Sequence, residues 1–204
     1  MRILAPIVLA AILALPLAVR PAHATQEYYL PTLFDVADVA LDDVLNIRLQ
    51  PDANSPVIGT LPPDMKGVEV VEETRGWGRV NSGEGSGWVS MRYLTYRVDV
   101  WEPGELPEHF RCLGTEPFWG FSVDGGEVVH TEPDQTSPEP LKAILDSGVF
   151  RHPLRTVISD TMTLVAVPQL CSDGMSDRMY GMQATLIHHG DQPSMQTGCC
   201  LIQE

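Results

Sequence analysis

No cysteine occurs before position 112, and the four that follow, Cys112, Cys171, Cys199 and Cys200, all lie in the second half of the 204-residue chain. The first half has no thiol to cross-link, a first sign that two units are joined here. Positive charge is scarce too: 13 Lys and Arg stand against 27 Asp and Glu, a formal net charge of −14. Nucleic-acid phosphates and anionic membranes repel a chain this acidic, so neither is expected as a partner. Signatures of catalysis are missing: there is no G-x-S-x-G elbow, no S-x-x-K pair and no H-E-x-x-H helix. Gly83 to Gly87 is glycine-rich but lacks the spacing of a phosphate loop, and no EF-hand calcium loop is present. Beyond residue 24 no apolar run reaches the roughly 20 residues that a membrane span needs.

What the chain does have begins with its N-terminus. Arg2 precedes an apolar run from Ile3 to Val19, broken by Pro6 and Pro16, and Ala22-His23-Ala24 follows. A basic start, a short apolar core and an A-x-A site are the pattern of a cleaved secretory signal, here residues 1–24. The expected location is periplasmic or secreted, with no transmembrane segment after cleavage. No cysteine adjoins the site, so no lipid anchor is expected there. Removing Arg2 and Arg20 leaves 11 basic against 27 acidic residues, or −16, a charge that favours solubility. In an oxidising compartment four cysteines suggest two disulfides, with three possible connectivities.

Residues 33–97 read as short strands separated by turns. Apolar residues run from Val39 to Ile47, then Pro51 to Pro56 is a turn cluster. Val57 to Leu61 is a strand that Pro62-Pro63 ends. Val68, Val70 and Val71 alternate with Glu69 and Glu72, and Gly76 to Val80 and Trp88-Val89 follow. Strands of this length with Gly and Pro punctuation, and with no sustained 3.6-residue period, predict a small β-barrel. The segment LNIRLQPDANSPVIGTLPPDMKGVEVVEETRGWGRVNSGEGSGWVSMRYL resembles the bacterial SH3 (SH3b) family in its LN-x-R, VIGTL, VEVVEE, GW-x-x-V and GWV…YL motifs. It departs from the usual pattern at Leu49, Gln50 and Asp64. The resemblance implies recognition of cell-wall peptidoglycan or another extended peptide. Trp77, after a turn, is the leading candidate for ligand contact, because an aromatic buries a large area at low entropy cost. Tyr93 and Arg48 are further candidates, Arg48 also fitting a structural hydrogen bond. Trp88, in an apolar strand, is expected in the core.

Proline, glycine and acids make residues 98–108 a candidate linker, and residues 109–204 a second β domain. Phe118 to Val123 and Glu127 to Thr131 form a predicted hairpin around Asp124-Gly125-Gly126. Pro133 to Pro140 reads as a loop, and Leu141 to Asp146 as one or two helical turns ended by Gly148. A second hairpin is expected around Asp160, and Gln183 to Ile187 and Met195 to Leu201 flank a His-His-Gly-Asp turn. GTEPFW (114–119), CSDGMSDRMY (171–180) and GCC (198–200) together resemble a family of exported bacterial proteins and lipoproteins of uncharacterised activity. A looser likeness is to periplasmic stress proteins of the HslJ type and to lysozyme inhibitors.

CSDGMSDRMYGM raises three chemistries. Asp173 and Asp177 are a carboxylate pair of the kind used in acid–base catalysis, with nothing else in support. Met175, Met179 and Met182, with His188, His189, Cys199 and Cys200, are soft ligands suited to copper(I). The simplest reading is a turn: Ser172 and Asp173 bonding amides two residues on, Gly174 supplying positive φ, and Cys171 anchoring the loop. Phe118 and Trp119 are expected to pack, and Glu116 to pair with Arg178. In the resembled family the retained cysteines match Cys171 and the first of the GCC pair. That resemblance implies Cys171–Cys199, with Cys112–Cys200 as the second bond. Neighbouring strand residues face opposite sides of a sheet, consistent with different partners for Cys199 and Cys200. The expected protein is mostly β, a small SH3-like barrel followed by an antiparallel β domain braced by disulfides. It is non-enzymatic, with no cofactor, metal or catalytic residue assigned. It binds peptidoglycan or peptide, or alternatively acts as an inhibitor or stress-response protein, or as a copper-binding envelope protein.

Overall fold

The computed structural model describes residues 28–203, so the 1–24 segment lies outside the described residues. The first half contains strands β1 (Thr32–Val36), β2 (Leu45–Arg48), β3 (Val57–Leu61), β4 (Val68–Val70), β5 (Glu72–Thr74), β6 (Trp77–Ser82), β7 (Gly85–Ser90) and β8 (Leu94–Tyr96), with a 3-10 turn at Met91–Tyr93. Five strands pair in the order β3-β2-β7-β6-β5, and β4-β1-β8 form a smaller sheet against them. Period-two alternation sends Val80 and Val89 inward to meet Ile47, Phe34, Val68 and Val70. Gly87 is glycine because a Cβ there would come within 2.6 Å of the Ile47 methyl.

Two expectations for this half need correction, and one buried charge stands out. The strand anticipated from Val39 is only Leu45–Arg48, because the chain first turns at Leu41-Asp42, where the Asp43 amide donates to the Ala40 carbonyl at 2.9 Å. Trp88 is not in the core: it is half-buried on the outer face of β7, beside the inward-facing Val89, with the Arg79 guanidinium 5.8 Å above its ring. Glu69, between Val68 and Val70, does not face solvent. It is 3% exposed, because Ile202 and Gln203 from the far end of the chain cover the second face of β4.

The second half contains β9 (Arg111–Thr115), β10 (Phe118–Asp124), β11 (Glu127–Glu132), β12 (Gln135–Pro140), β13 (Ala143–Asp146), β14 (Arg155–Ile158), β15 (Met162–Cys171), β16 (Tyr180–His188) and β17 (Ser194–Leu201). They form one antiparallel sheet ordered β12-β11-β10-β9-β17-β16-β15-β14-β13. The edge strands β12 and β13 are joined by Leu141 and Lys142 alone. At about 3.8 Å between consecutive Cα atoms, so short a link requires the two edges to lie close together, and the sheet curls into a barrel. Phe121, Val128, Leu164, Met182, Ala184 and Leu186 fill it.

The hairpins at Asp124-Gly125-Gly126 and Asp160 and the pairing of β16 with β17 agree with expectation. Residues 135–140 are a strand rather than a loop. Their prolines, Pro138 and Pro140, hid it, and an edge strand tolerates them. Residues 143–146 are likewise a strand, not helical turns, paired with β14. Phe118 is 53% exposed, whereas Trp119 packs inside as expected.

Both disulfides, Cys112–Cys200 and Cys171–Cys199, are present. Cys200 points into the barrel and Cys199 to the outer face, where it packs with Tyr180, Leu201 and Leu113. Residues 98–108 carry no strand, yet they are not a loose connection. Val100 and Trp101 sit in the second core, and Trp101 Nε1 donates to the Pro31 carbonyl at 2.8 Å. The buried Arg155 guanidinium lies under Trp101 and donates to the carbonyls of Glu102, Glu105, His152 and Leu154, tying this strap to the barrel. β1 joins the halves from the other side: Phe34 belongs to the first core and Leu33 to the second.

Candidate functional site

β6 begins at Trp77 and β7 ends at Ser90, directly opposite each other. The Met91 amide donates to the Gly76 carbonyl at 2.9 Å, and the following 3-10 turn brings Arg92 and Tyr93 back beside Trp77. Across from them stands β2, with Leu45, Asn46 and Arg48, and the segment Asp38–Val44 closes the side. The result is a groove of about 560 Å³ that contains Trp77, Tyr93 and Arg48 together. Trp77 and Tyr93 are both half-buried, so each is held by packing while presenting a face. Arg48 Nη1 donates to the Ser55 carbonyl at 2.7 Å, which fixes its side chain, and the residue also lines the groove. The anticipated structural bond and the anticipated location thus coincide in one residue.

Sequence reading missed Arg92, whose guanidinium lies 5.6 Å from the Tyr93 ring, and the acids Asp38 and Asp43, which line the same groove. Asp38 has φ 57°, a left-handed conformation that Asp tolerates better than most residues. The groove thus combines two aromatic rings with two cations and two carboxylates. Such a surface suits an extended chain that carries both charges and apolar stretches.

The CSDGMSDRMY stretch is the anticipated turn. The Gly174 amide bonds Ser172 Oγ at 3.2 Å, the Met175 amide bonds Asp173 Oδ1 at 3.0 Å, and Gly174 has φ 71°. Asp173 also accepts from the Ser176 amide and hydroxyl and from the Tyr180 hydroxyl. Burial raises its carboxyl, but these donors outweigh burial and hold it below the usual carboxylate range. Asp177 does not share that network; its amide donates to the Glu84 carbonyl at 2.9 Å. Arg178 does not pair with Glu116: its Nε donates to the Gly83 carbonyl at 2.8 Å instead. The copper ligand set is not assembled. Cys199 and Cys200 are consumed in disulfides, and Met182 is wholly buried in the core. Among the described residues no three His, Cys, Asp or Glu side chains converge as a metal site.

Other concavities lie away from the aromatic groove. One of about 680 Å³ runs along the seam between the halves, lined by Lys66, Arg97, Glu105 and His109 among others. Another, of about 400 Å³, opens over His130 and His188, whose rings are 5.2 Å apart. Burial, then the neighbouring His188, lowers the pKa of His130, against the opposing pull of Glu132 and Glu139. Among the described residues no helix is long and apolar enough to cross a membrane.

No curated protein and no solved structure matches the chain. A family model does, over the stretch that builds the aromatic groove from β2 to β8. Residues 43–95 match the bacterial SH3 domain, and this part of the chain is a bacterial SH3 domain.

Proposed function

We propose that this chain is an exported, non-enzymatic binding protein whose SH3 domain takes peptidoglycan stem peptide, or another extended peptide, in the groove between β2, β6 and the 3-10 turn. One observation carries the reading. Trp77, Tyr93 and Arg48, singled out in the sequence for ligand contact, line a single groove in a domain of a type often associated with peptidoglycan. The volume, about 560 Å³, lies within the roughly 300–1,000 Å³ of ordinary ligand pockets. Trp77 and Tyr93 supply area at little entropic cost, and the flanking Arg48, Arg92, Asp38 and Asp43 supply partners for charged ends of a peptide.

The test uses the whole chain, since Leu33 and Trp101 tie the SH3 domain to the second core. Co-sedimentation with purified peptidoglycan is compared for the parent, Trp77→Ala and Trp88→Ala. Trp77→Ala is expected to lose about tenfold or more in affinity, on the order of 1–2 kcal/mol. Trp88→Ala, on the outer face of β7 and outside the groove, is expected to bind like the parent. Equal binding by parent and folded Trp77→Ala would remove the groove from the account.

A further inference from the structure

Residues 172–179 belong to no strand, yet they hold the SH3 domain by the tip of its β6–β7 hairpin. The Met179 amide donates to Asn81 Oδ1 at 2.9 Å, and Asn81 Nδ2 returns a bond to the Met179 carbonyl at 3.0 Å. Arg178 Nε reaches the Gly83 carbonyl, and the Asp177 amide the Glu84 carbonyl, at 2.8 and 2.9 Å. The loop itself is anchored at its start by Cys171–Cys199. The two disulfides differ in access. Cys112 and Cys200 are 2% and 0% exposed within the barrel. Cys199 is 1% exposed, so the difference lies in Cys171 alone, which is half-buried and lines a groove of about 340 Å³ between the loop and Leu113–Glu116.

We propose that Cys171–Cys199 is a redox-sensitive latch: a dithiol reductant opens it selectively, and opening loosens the loop's grip on the SH3 hairpin. The reductant's thiolate attacks Sγ of the half-buried Cys171, and the S–S bond breaks with its electron pair leaving on Cys199 Sγ, which takes up a proton. The reductant's second thiol then displaces Cys171 from the mixed disulfide. Cys171 and Cys199 end as thiols, and the dithiol as its own disulfide. Cys112–Cys200 stays closed, because no thiolate reaches it while the barrel is folded. The same hairpin carries Trp77 and Ser90 at its opposite end, so the latch and the aromatic groove terminate the same pair of strands.

The experiment is a graded dithiothreitol titration of the folded full chain, followed by alkylation, peptide mapping and amide hydrogen exchange. The expected result is alkylation of Cys171 and Cys199 at dithiothreitol concentrations that leave Cys112–Cys200 intact. Exchange at the Asp177 and Met179 amides then rises about tenfold or more while Phe121 and Leu186 stay protected. A Cys171→Ser/Cys199→Ser variant is expected to show the released exchange pattern without reductant. Should it fail to fold, the titration of the parent decides alone. Simultaneous reduction of both bonds, no reduction short of unfolding, or reduction with unchanged Asp177 and Met179 exchange would overturn the latch.

Discussion

Glu69 is the residue whose environment departs furthest from its sequence neighbourhood. One oxygen accepts the Ile202 amide at 3.3 Å, and the other is buried without a partner. Burial pushes the carboxyl up to about 7, against the opposing pull of the Ile202 and Gln203 amides and the Arg111 charge. An acid whose folded pKa is raised binds its proton more tightly in the native state. Its contribution to stability is therefore fully present below its unfolded value near 4.5 and is lost as pH rises through about 7. The corresponding penalty above that range is about 3 kcal/mol. Glu69→Gln, which keeps an acceptor without a charge, is expected to be more stable than the parent at pH 8, with the difference vanishing toward pH 4.5. Urea unfolding at both pH values checks this, and parallel pH profiles would contradict it. Trp88 departs in the opposite direction, outward. A core position would imply a loss of roughly 3–5 kcal/mol on truncation. Half-buried under Arg79, Trp88→Ala is expected to cost about 1 kcal/mol, measured by the same unfolding curves.

At the level of elements, legibility follows the length and alternation of each strand. β10, β11 and β16 alternate over much of their six to nine residues and are visible in the sequence with their turns. β12 is not, because its six residues QTSPEP contain two prolines and no large apolar side chain. β13 has four residues, too few to separate a period of two from one of 3.6. The adjacent cysteines reach different partners because β17 turns Cys200 inward and Cys199 outward. Gly198 beside them has a reason no propensity supplies: a Cβ there would collide with the Leu113 carbonyl and press on the Trp119 ring. Gly198→Ala is expected to destabilise the protein by about 1–3 kcal/mol through overpacking, read as a lowered urea midpoint. An unchanged midpoint would mean that β9 and β17 can separate without loss.

On the scale of the whole molecule, composition suggests two units joined by a linker, and the motifs locate the SH3 domain well. The seam is invisible in the sequence because each of its parts looks ordinary alone: a Trp in an acidic stretch, a Glu in a valine run, an Asn in a hairpin. Trp101 bonded to Pro31, Glu69 to Ile202 and Asn81 to Met179 join the halves at three separate places. The full chain is therefore expected to unfold in one transition, with tryptophan fluorescence and far-ultraviolet dichroism superimposing; two resolved steps would show that the seam is weak. The aromatic groove is legible as residue types but not as a surface, since Arg92, Asp38 and Asp43 join it only after folding. Amide chemical-shift mapping of the full chain with a soluble peptidoglycan stem peptide tests the proposed peptide site. Shifts are expected to concentrate at residues 38–48, at Trp77 and at 90–93; shifts confined to the seam groove or to the His130–His188 mouth, or none at all, would overturn it.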